Sequence, residues 1–129
     1  MSVSILRRPA EVYAFAANPG NLPRWAKGLS GSIREVNGEW IADSPMGKVK
    51  VRFARRNDLG VLDHDVVLES GEIVHNPMRV VANGDGSEVV FTVYRRTGMT
   101  EEAFAADGKA VEDDLRVLKR LLEEGAEGK

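Results

Sequence analysis

The sequence predicts an α+β fold in which an antiparallel sheet grips one long helix, and three observations carry that prediction. A short strand-like segment, Ser4-Ile5-Leu6-Arg7-Arg8, runs straight into Pro9-Ala10-Glu11-Val12-Tyr13-Ala14-Phe15. Strand-like stretches separated by tight-turn sequences fill the middle of the chain. An amphipathic segment from Glu101 to Glu124 closes it and, as a helix, would span roughly 36 Å, enough to cross a whole sheet. Such a scaffold leaves room for a small molecule between sheet and helix.

In the first segment, Val3, Ile5 and Arg7 alternate with Ser4, Leu6 and Arg8, the two-residue period of a strand. Pro9 suits the first position of a helix, where a missing N–H costs nothing. Val12, Phe15 and Ala16 then fall at helical spacing, and Asn18-Pro19-Gly20 ends that helix. A second short helix carries Leu22, Trp25, Ala26 and Leu29 on one face, at offsets of three, four and seven.

The middle reads as a meander. Asn37-Gly38 between Ile33-Arg34-Glu35-Val36 and Glu39-Trp40-Ile41-Ala42 is a tight-hairpin signal, because both central residues tolerate positive φ. Pro45-Met46-Gly47 turns the next hairpin. Val49, Val51 and Phe53 alternate with Lys48, Lys50 and Arg52, so one face is apolar and the other wet. Leu62, His64, Val66 and Leu68 alternate with Asp63, Asp65, Val67 and Glu69 in the same way. Ser70-Gly71 is a turn, Ile73 to Val81 a strand, Asn83-Gly84-Asp85-Gly86 a turn, and Glu88 to Arg95 the last strand. Short turns between consecutive strands make them antiparallel.

Thr100 caps the closing helix, and Glu101 and Glu102 sit where the helix dipole favours negative charge. Phe104, Val111, Leu115, Leu118 and Leu122 form its apolar stripe, while Glu112 and Arg116 can pair across one turn. Gly125 supplies a stop, and Ala126-Glu127-Gly128-Lys129 reads as a frayed tail.

At 129 residues the chain fits one domain able to bury about two thirds of its unfolded surface. A net charge of −2 leaves no basic footprint for nucleic acid. With no cysteine there is no disulfide framework, thiol nucleophile or cysteine-ligated metal. No stretch approaches the ~20 apolar residues of a membrane span, and the N-terminus lacks the apolar run of a secretory signal. The expectation is a cytoplasmic protein without integral membrane association.

The order of elements, with Ile5-x-Arg7-Arg8-Pro9-Ala10-Glu11-Val12-Tyr13-Ala14-Phe15 and Asn18-Pro19-x-Asn21-Leu22-Pro23-x-Trp25, resembles the START-like superfamily. That group, also called SRPBCC, includes the polyketide cyclase/dehydrase family. The resemblance spans nearly the whole chain, supported at its far end by Gly86-Ser87-Glu88-Val89-Val90-Phe91-Thr92 leading into the closing helix. It implies one START-like domain over residues 1–129 with helix-grip architecture. In that architecture a curved antiparallel seven-stranded sheet surrounds the C-terminal helix, with two short helices after the first strand. Members bind lipids, quinones, steroids, plant hormones and polyketides; some are cyclases or aromatases, and others regulate chaperones.

His64 shares its strand face with Leu62, Val66 and Leu68, the expected concave side. A half-buried imidazole there can orient a ligand carbonyl or act as a general base, or it is a core histidine satisfied by one internal hydrogen bond. Asp63 and Asp65 point to the opposite face, so the Asp-His-Asp run is neither triad nor metal cluster. His75 faces inward if the Ser70-Gly71 turn has two residues. One residue more turns Val74, Asn76, Met78 and Val80 inward and His75 out, which buries more apolar surface and is the favoured register. Pro77 marks a bulge or an edge. Two histidines without cysteine fall short of a zinc site, so no metal and no cofactor is expected. Trp25 either stacks on a ligand ring at the pocket mouth or packs with Leu22 and Leu29. Trp40 is expected on the outer face or an edge. Phe104 and Gly108 lie one turn apart on the inward stripe, where the glycine either leaves cavity volume or lets the helix pack closely on a strand. Lys48, Lys50, Arg52, Arg55 and Arg56 form a basic strand and turn that keeps a convex face solvated or meets an acidic partner.

Two functions of different class follow. The first is binding of a small hydrophobic or amphipathic ligand (lipid, quinone or polyketide-like) between sheet and helix. Its lining is Trp25, Val51, Phe53, His64, Val66, Met78, Phe91, Phe104 and Gly108. The second is a polyketide cyclase/dehydratase-type enzyme with His64 as acid/base and Tyr94, or an inward Arg79, polarising a carbonyl. A protein-interaction module of the chaperone-regulator kind is a third, and it predicts a filled cavity and an exposed apolar patch. The sequence leaves monomer and homodimer open.

Overall fold

The computed structural model describes residues 1–29, 32–45 and 47–125 and follows the predicted order of elements. The strands are β1 (Ser2–Ile5), β2 (Ile33–Val36), β3 (Glu39–Ser44), β4 (Gly47–Phe53), β5 (His64–Val67), β6 (Ile73–Asn76), β7 (Met78–Asn83) and β8 (Gly86–Phe91). The helices are α1 (Pro9–Ala16), α2 (Leu22–Trp25) and α3 (Glu101–Gly125), with single 3-10 turns at Pro19–Asn21 and Lys27–Leu29 flanking α2. Met46 of the second predicted turn and the predicted tail 126–129 lie outside the described residues.

β1 ends at Ile5, short of the predicted Arg8, because the next backbone groups are used elsewhere. The Leu6 N–H donates to the Glu123 carboxylate at 2.8 Å, and the Arg7 carbonyl accepts from the Ser87 hydroxyl at 2.6 Å. The Arg7 guanidinium reaches the Glu123 carbonyl, and Lys119 donates to the Ser4 carbonyl at 2.7 Å. The chain segment leaving β1 is thereby tied to the last turns of α3. Pro9 opens α1 as expected, and the Asn18 side chain accepts from Gly20 N to start the first 3-10 turn.

The predicted single seven-stranded sheet is replaced by eight strands in two antiparallel sheets among the described residues. One runs β1-β8-β7 and the other β2-β3-β4-β5-β6. The predicted strand from Ile73 to Val81 breaks at Pro77, which lacks the N–H a continuous ladder requires. Residues before it pair with β5; residues after it pair with β8. The last strand likewise stops at Phe91 rather than Arg95: Thr92 N donates to the Pro77 carbonyl at 3.0 Å, but Pro77 has no N–H to return the bond. Two further bonds, Leu62 N to Met78 O at 2.8 Å and Val80 N to Gly60 O at 2.9 Å, stitch the sheets together.

The hairpin at Asn37-Gly38 forms with both residues at positive φ, 53° and 81°. The inner face carries Ala42, Val49, Val51, Leu62, Met78, Val80, Val89 and Phe91, all buried, against Leu115 and Leu118 of α3. Trp40 sits opposite Val51, so it shares this inner face rather than the outer one expected. Thr100 Oγ1 accepts from Ala103 N at 3.0 Å, which is the predicted cap. Of the apolar stripe on α3, only Leu115 and Leu118 are fully buried. Val111 and Leu122 pack against them, and Phe104 stays outside the core cluster.

Leu118→Ala, at a position with 0% exposure, is expected to cost about 2–5 kcal/mol in a urea titration. A Cβ on Gly108 would meet only the Met1 methyl at 3.5 Å, so Gly108→Ala should stabilise by up to about 1 kcal/mol. At Gly60, φ is +74° and a Cβ would lie 2.2 Å from the Val80 carbonyl oxygen, so Gly60→Ala should destabilise instead. A Gly108→Ala protein less stable than the parent would mean that the glycine is needed for close packing.

Candidate functional site

A chamber of about 160 Å³ lies between the inner faces of the strands and the helices. Its floor is His64 and Val66 of β5, Asn76 at the end of β6 and Phe91 at the end of β8. Leu22, Trp25, Ala26 and Leu29, on α2 and the turn after it, form one wall. Val111, Asp114 and Leu115 of α3 form the other. A vestibule of about 310 Å³ adjoins it past Asn76 and Val111, bordered by His75, Tyr94 and Arg96. A larger, open groove of about 650 Å³ between α1, the loop at Arg56–Gly60 and β7 is lined by none of the predicted site residues, and its titratable groups are exposed or half-buried.

His64 is brought inward by the register that pairs it with Phe53 on one side and Asn76 on the other. It is 6% exposed, stacks on Phe53 with ring centres 4.8 Å apart, and meets the Phe91 ring edge-on at 5.8 Å. Its Nδ1 lies 3.0 Å from the Leu62 carbonyl oxygen. A carbonyl only accepts, so Nδ1 carries the proton and Nε2 keeps its lone pair. Burial pushes the imidazole pKa below its usual 6.5, outweighing the Leu62 hydrogen bond, and the ring is neutral at pH 7. His64 is therefore an acceptor and a base.

Trp25 is 3% exposed, and its indole N–H has no acceptor among the described residues. Asp114 accepts the backbone N–H of Lys27 at 3.1 Å. Loss of water pushes its carboxyl up from 3.8 to about 6, with the neighbouring Asp113 adding to the shift and Lys27 opposing it. The sequence reading passed over Asp114, although a signal was present. Val111, Asp114, Leu115 and Leu118 stand at offsets of three, four and seven, which puts a carboxylate on the buried stripe.

Of the nine expected lining residues, Trp25, His64, Val66 and Phe91 border the chamber together. Val51 and Met78 lie in the core, and Phe53 backs the His64 ring. Phe104 and Gly108 fall outside the lining, because the helix wall begins a turn later at Val111. His75 takes the outward register: Asp65 pairs with it across the strands at 2.5 Å, and Tyr94 stacks on it at 6.4 Å. Tyr94 is 55% exposed, and Arg79 pairs with Asp63 at 3.0 Å on the outer face, so neither joins His64. Hydrogen bonding from Arg79 holds the Asp63 carboxyl below its usual range. Among the described residues no three histidines or carboxylates converge as a metal site, and no helix is long and apolar enough to cross a membrane.

No family model and no curated protein matches the chain. Solved structures do. The protein XoxI from Bacillus cereus superimposes with a TM-score of 0.69 at 18% identity, over 95% of this chain and 92% of that one. The Aha1 dimer from Colwellia psychrerythraea gives 0.68 at 15%, over 95% and 93%. The di-domain ARO/CYC StfQ from the steffimycin biosynthetic pathway gives 0.65 at 10%, over 98% of this chain and 45% of StfQ. Likeness at these identities is one of fold alone, the helix-grip arrangement of antiparallel strands around a long C-terminal helix.

The buried His64 and the half-buried Asp114 pull stability in opposite directions with pH. The folded-state pKa of Asp114 lies above its unfolded 3.8, so ionisation costs stability as pH rises through the window up to about 6. Asp114→Asn should exceed the parent in stability near neutral pH by on the order of 1 kcal/mol, after discounting for the part of the carboxyl still in water. That advantage should shrink as pH falls through the same window, from about 6 towards 3.8. His64 has a depressed pKa, so its contribution is complete above 6.5 and is lost as pH falls below that value. Denaturant titrations of Asp114→Asn and His64→Gln across this range check both slopes, and a pH-independent offset for Asp114→Asn would refute the desolvation account.

Proposed function

From a helix-grip fold and the geometry of its inner chamber, we propose that this chain, one START-like domain over residues 1–129, binds a small amphipathic molecule between sheet and α3. The observation that carries the reading is an apolar chamber of about 160 Å³ into which a few polar groups are set. Leu22, Leu29, Val66, Phe91 and Leu115 provide the apolar surface, and His64, Asn76 and Asp114 the polar points. An apolar cavity of roughly 150 Å³ holds benzene, whereas drug-sized ligands occupy about 300–1,000 Å³. The chamber therefore suits one ring. A long lipid, a quinone tail or a multi-ring polyketide would have to extend through the vestibule past Val111.

A proton-transfer reaction of the cyclase/dehydratase kind is the second reading, and one observation favours it. A neutral His64 and a carboxyl with a pKa near 6 border the same chamber. Asp114, in its protonated form, would then be the donor to a carbonyl in place of Tyr94 or Arg79. The interaction-module reading has less support, since it calls for a filled cavity.

Trp25 borders the chamber, while the second tryptophan, Trp40, does not. Benzyl alcohol should shift the Trp25 indole N–H resonance and leave that of Trp40 in place, with a Kd on the order of 0.1–1 mM. Val111→Phe should fill the mouth and weaken this binding by about tenfold or more at unchanged stability. Equal shifts at both indoles, or binding indifferent to Val111→Phe, would place the probe elsewhere.

A further inference from the structure

The charges around the chamber constrain its ligand further, on the premise that the chamber is a binding site. No lysine or arginine lines it. Three titratable or charged groups bear on Asp114: Lys27 from the 3-10 turn, Asp113 on its own helix and His64 across the chamber. Lys27 offers a backbone N–H at 3.1 Å that occupies one carboxylate oxygen, and its ammonium, which does not line the chamber, adds a weaker attraction. Asp113 is engaged by Lys109 at 2.9 Å and adds negative potential. His64 is kept neutral by burial. The chamber thus presents a carboxylate without a cationic side chain on its walls, beside the Trp25 and Phe91 rings.

We propose that the ligand is a protonated amine carried on an apolar body of about one ring, with Asp114 as its counter-charge and the Trp25 and Phe91 rings around its apolar part. An ammonium donates to a carboxylate through a charge-assisted bond and gains from aromatic faces nearby. A carboxylate or phosphate ligand would meet Asp114 and Asp113 with no compensating cation in the chamber. Acidic ligands such as fatty acids are therefore disfavoured in this chamber, and neutral ones bind without gain or penalty from Asp114.

Three probes of matched size test the assignment: benzylamine, benzyl alcohol and benzoate, titrated while the Trp25 indole resonance is followed. Above the Asp114 pKa, benzylamine should bind at least about fivefold more tightly than benzyl alcohol, and benzoate most weakly. The amine stays charged throughout, so its advantage should fall as pH drops below about 6 and Asp114 takes up a proton. In Asp114→Asn the amine-to-alcohol ratio should drop to about one. Benzyl alcohol binding as tightly as benzylamine, or an amine preference surviving in Asp114→Asn, overturns the amine assignment while leaving the binding site standing. Failure of all three probes to move the Trp25 resonance of the folded protein overturns the site and the amine together.

Discussion

Pro77 is the residue on which the arrangement of the sheets depends. It has no N–H to give, so a strand that the apolar pattern would carry from Ile73 to Val81 cannot run through it. The chain leaves one sheet after Asn76 and enters the other at Met78. The break is closed by specific bonds. Asp63 takes the Met78 N–H at 2.9 Å and the Arg79 guanidinium at 3.0 Å, and Thr92 N reaches the Pro77 carbonyl. The two sheets are thereby hinged along one line. Their inner faces form the trough in which Leu115 and Leu118 seat α3. Asn76, the last residue before the proline, is left on the chamber floor, and Met78, the first after it, is fully buried.

Within that trough the helices divide packing from binding. Leu115 and Leu118 bury against the sheet, and one turn earlier Val111 and Asp114 face a space that no strand side chain fills. α2 closes the space from the other side with Leu22 and Trp25. The small chamber results from short elements. α2 has four residues and β5 four, so the walls are near and the enclosed volume holds little more than one ring.

Alternation and turn chemistry are local signals, and they made much of this fold legible. The Asn37-Gly38 hairpin, the inward set Val49, Val51, Leu62 and His64, the Thr100 cap and the outward His75 all follow from such signals. The sheet that a strand joins is a non-local property. A proline in a strand pattern signals a bulge, an edge or a change of sheet alike, and only pairing with β8 decides among them. The cavity was misplaced along α3 for a related reason. Helical spacing puts Phe104 and Gly108 on the same stripe as Leu115, but the strands end before reaching them, leaving Gly108 opposite Met1. Nearness to a hairpin tip points Trp40 to the outer face or an edge, whereas its register with Val51 turns it in. Asp114 was readable as a carboxylate on an apolar stripe. In sequence it adjoins Glu112 and Asp113, a run that carries the same pattern as a solvated helix face.

Charge compensation separates the two faces of the sheet. Among the exposed groups Asp63 is matched by Arg79, Glu72 by Arg96 and Glu39 by Lys50, while Asp65 shares a hydrogen bond with His75. Those pairs are part-exposed, and each contributes little to stability. In the chamber the pattern reverses. Asp114 pays a desolvation penalty that raises its pKa, His64 loses basicity to burial, and the Trp25 N–H meets no acceptor among the described residues. Each of these arrangements costs free energy in the folded protein, and an apolar side chain at the same position would avoid it. A chain that pairs its charges where water already screens them, and sets a half-buried carboxylate, a neutral imidazole and an indole N–H unpaired among the described residues around one chamber, has its polar demand concentrated at one place. A ligand that supplies the missing partners gains most from binding there.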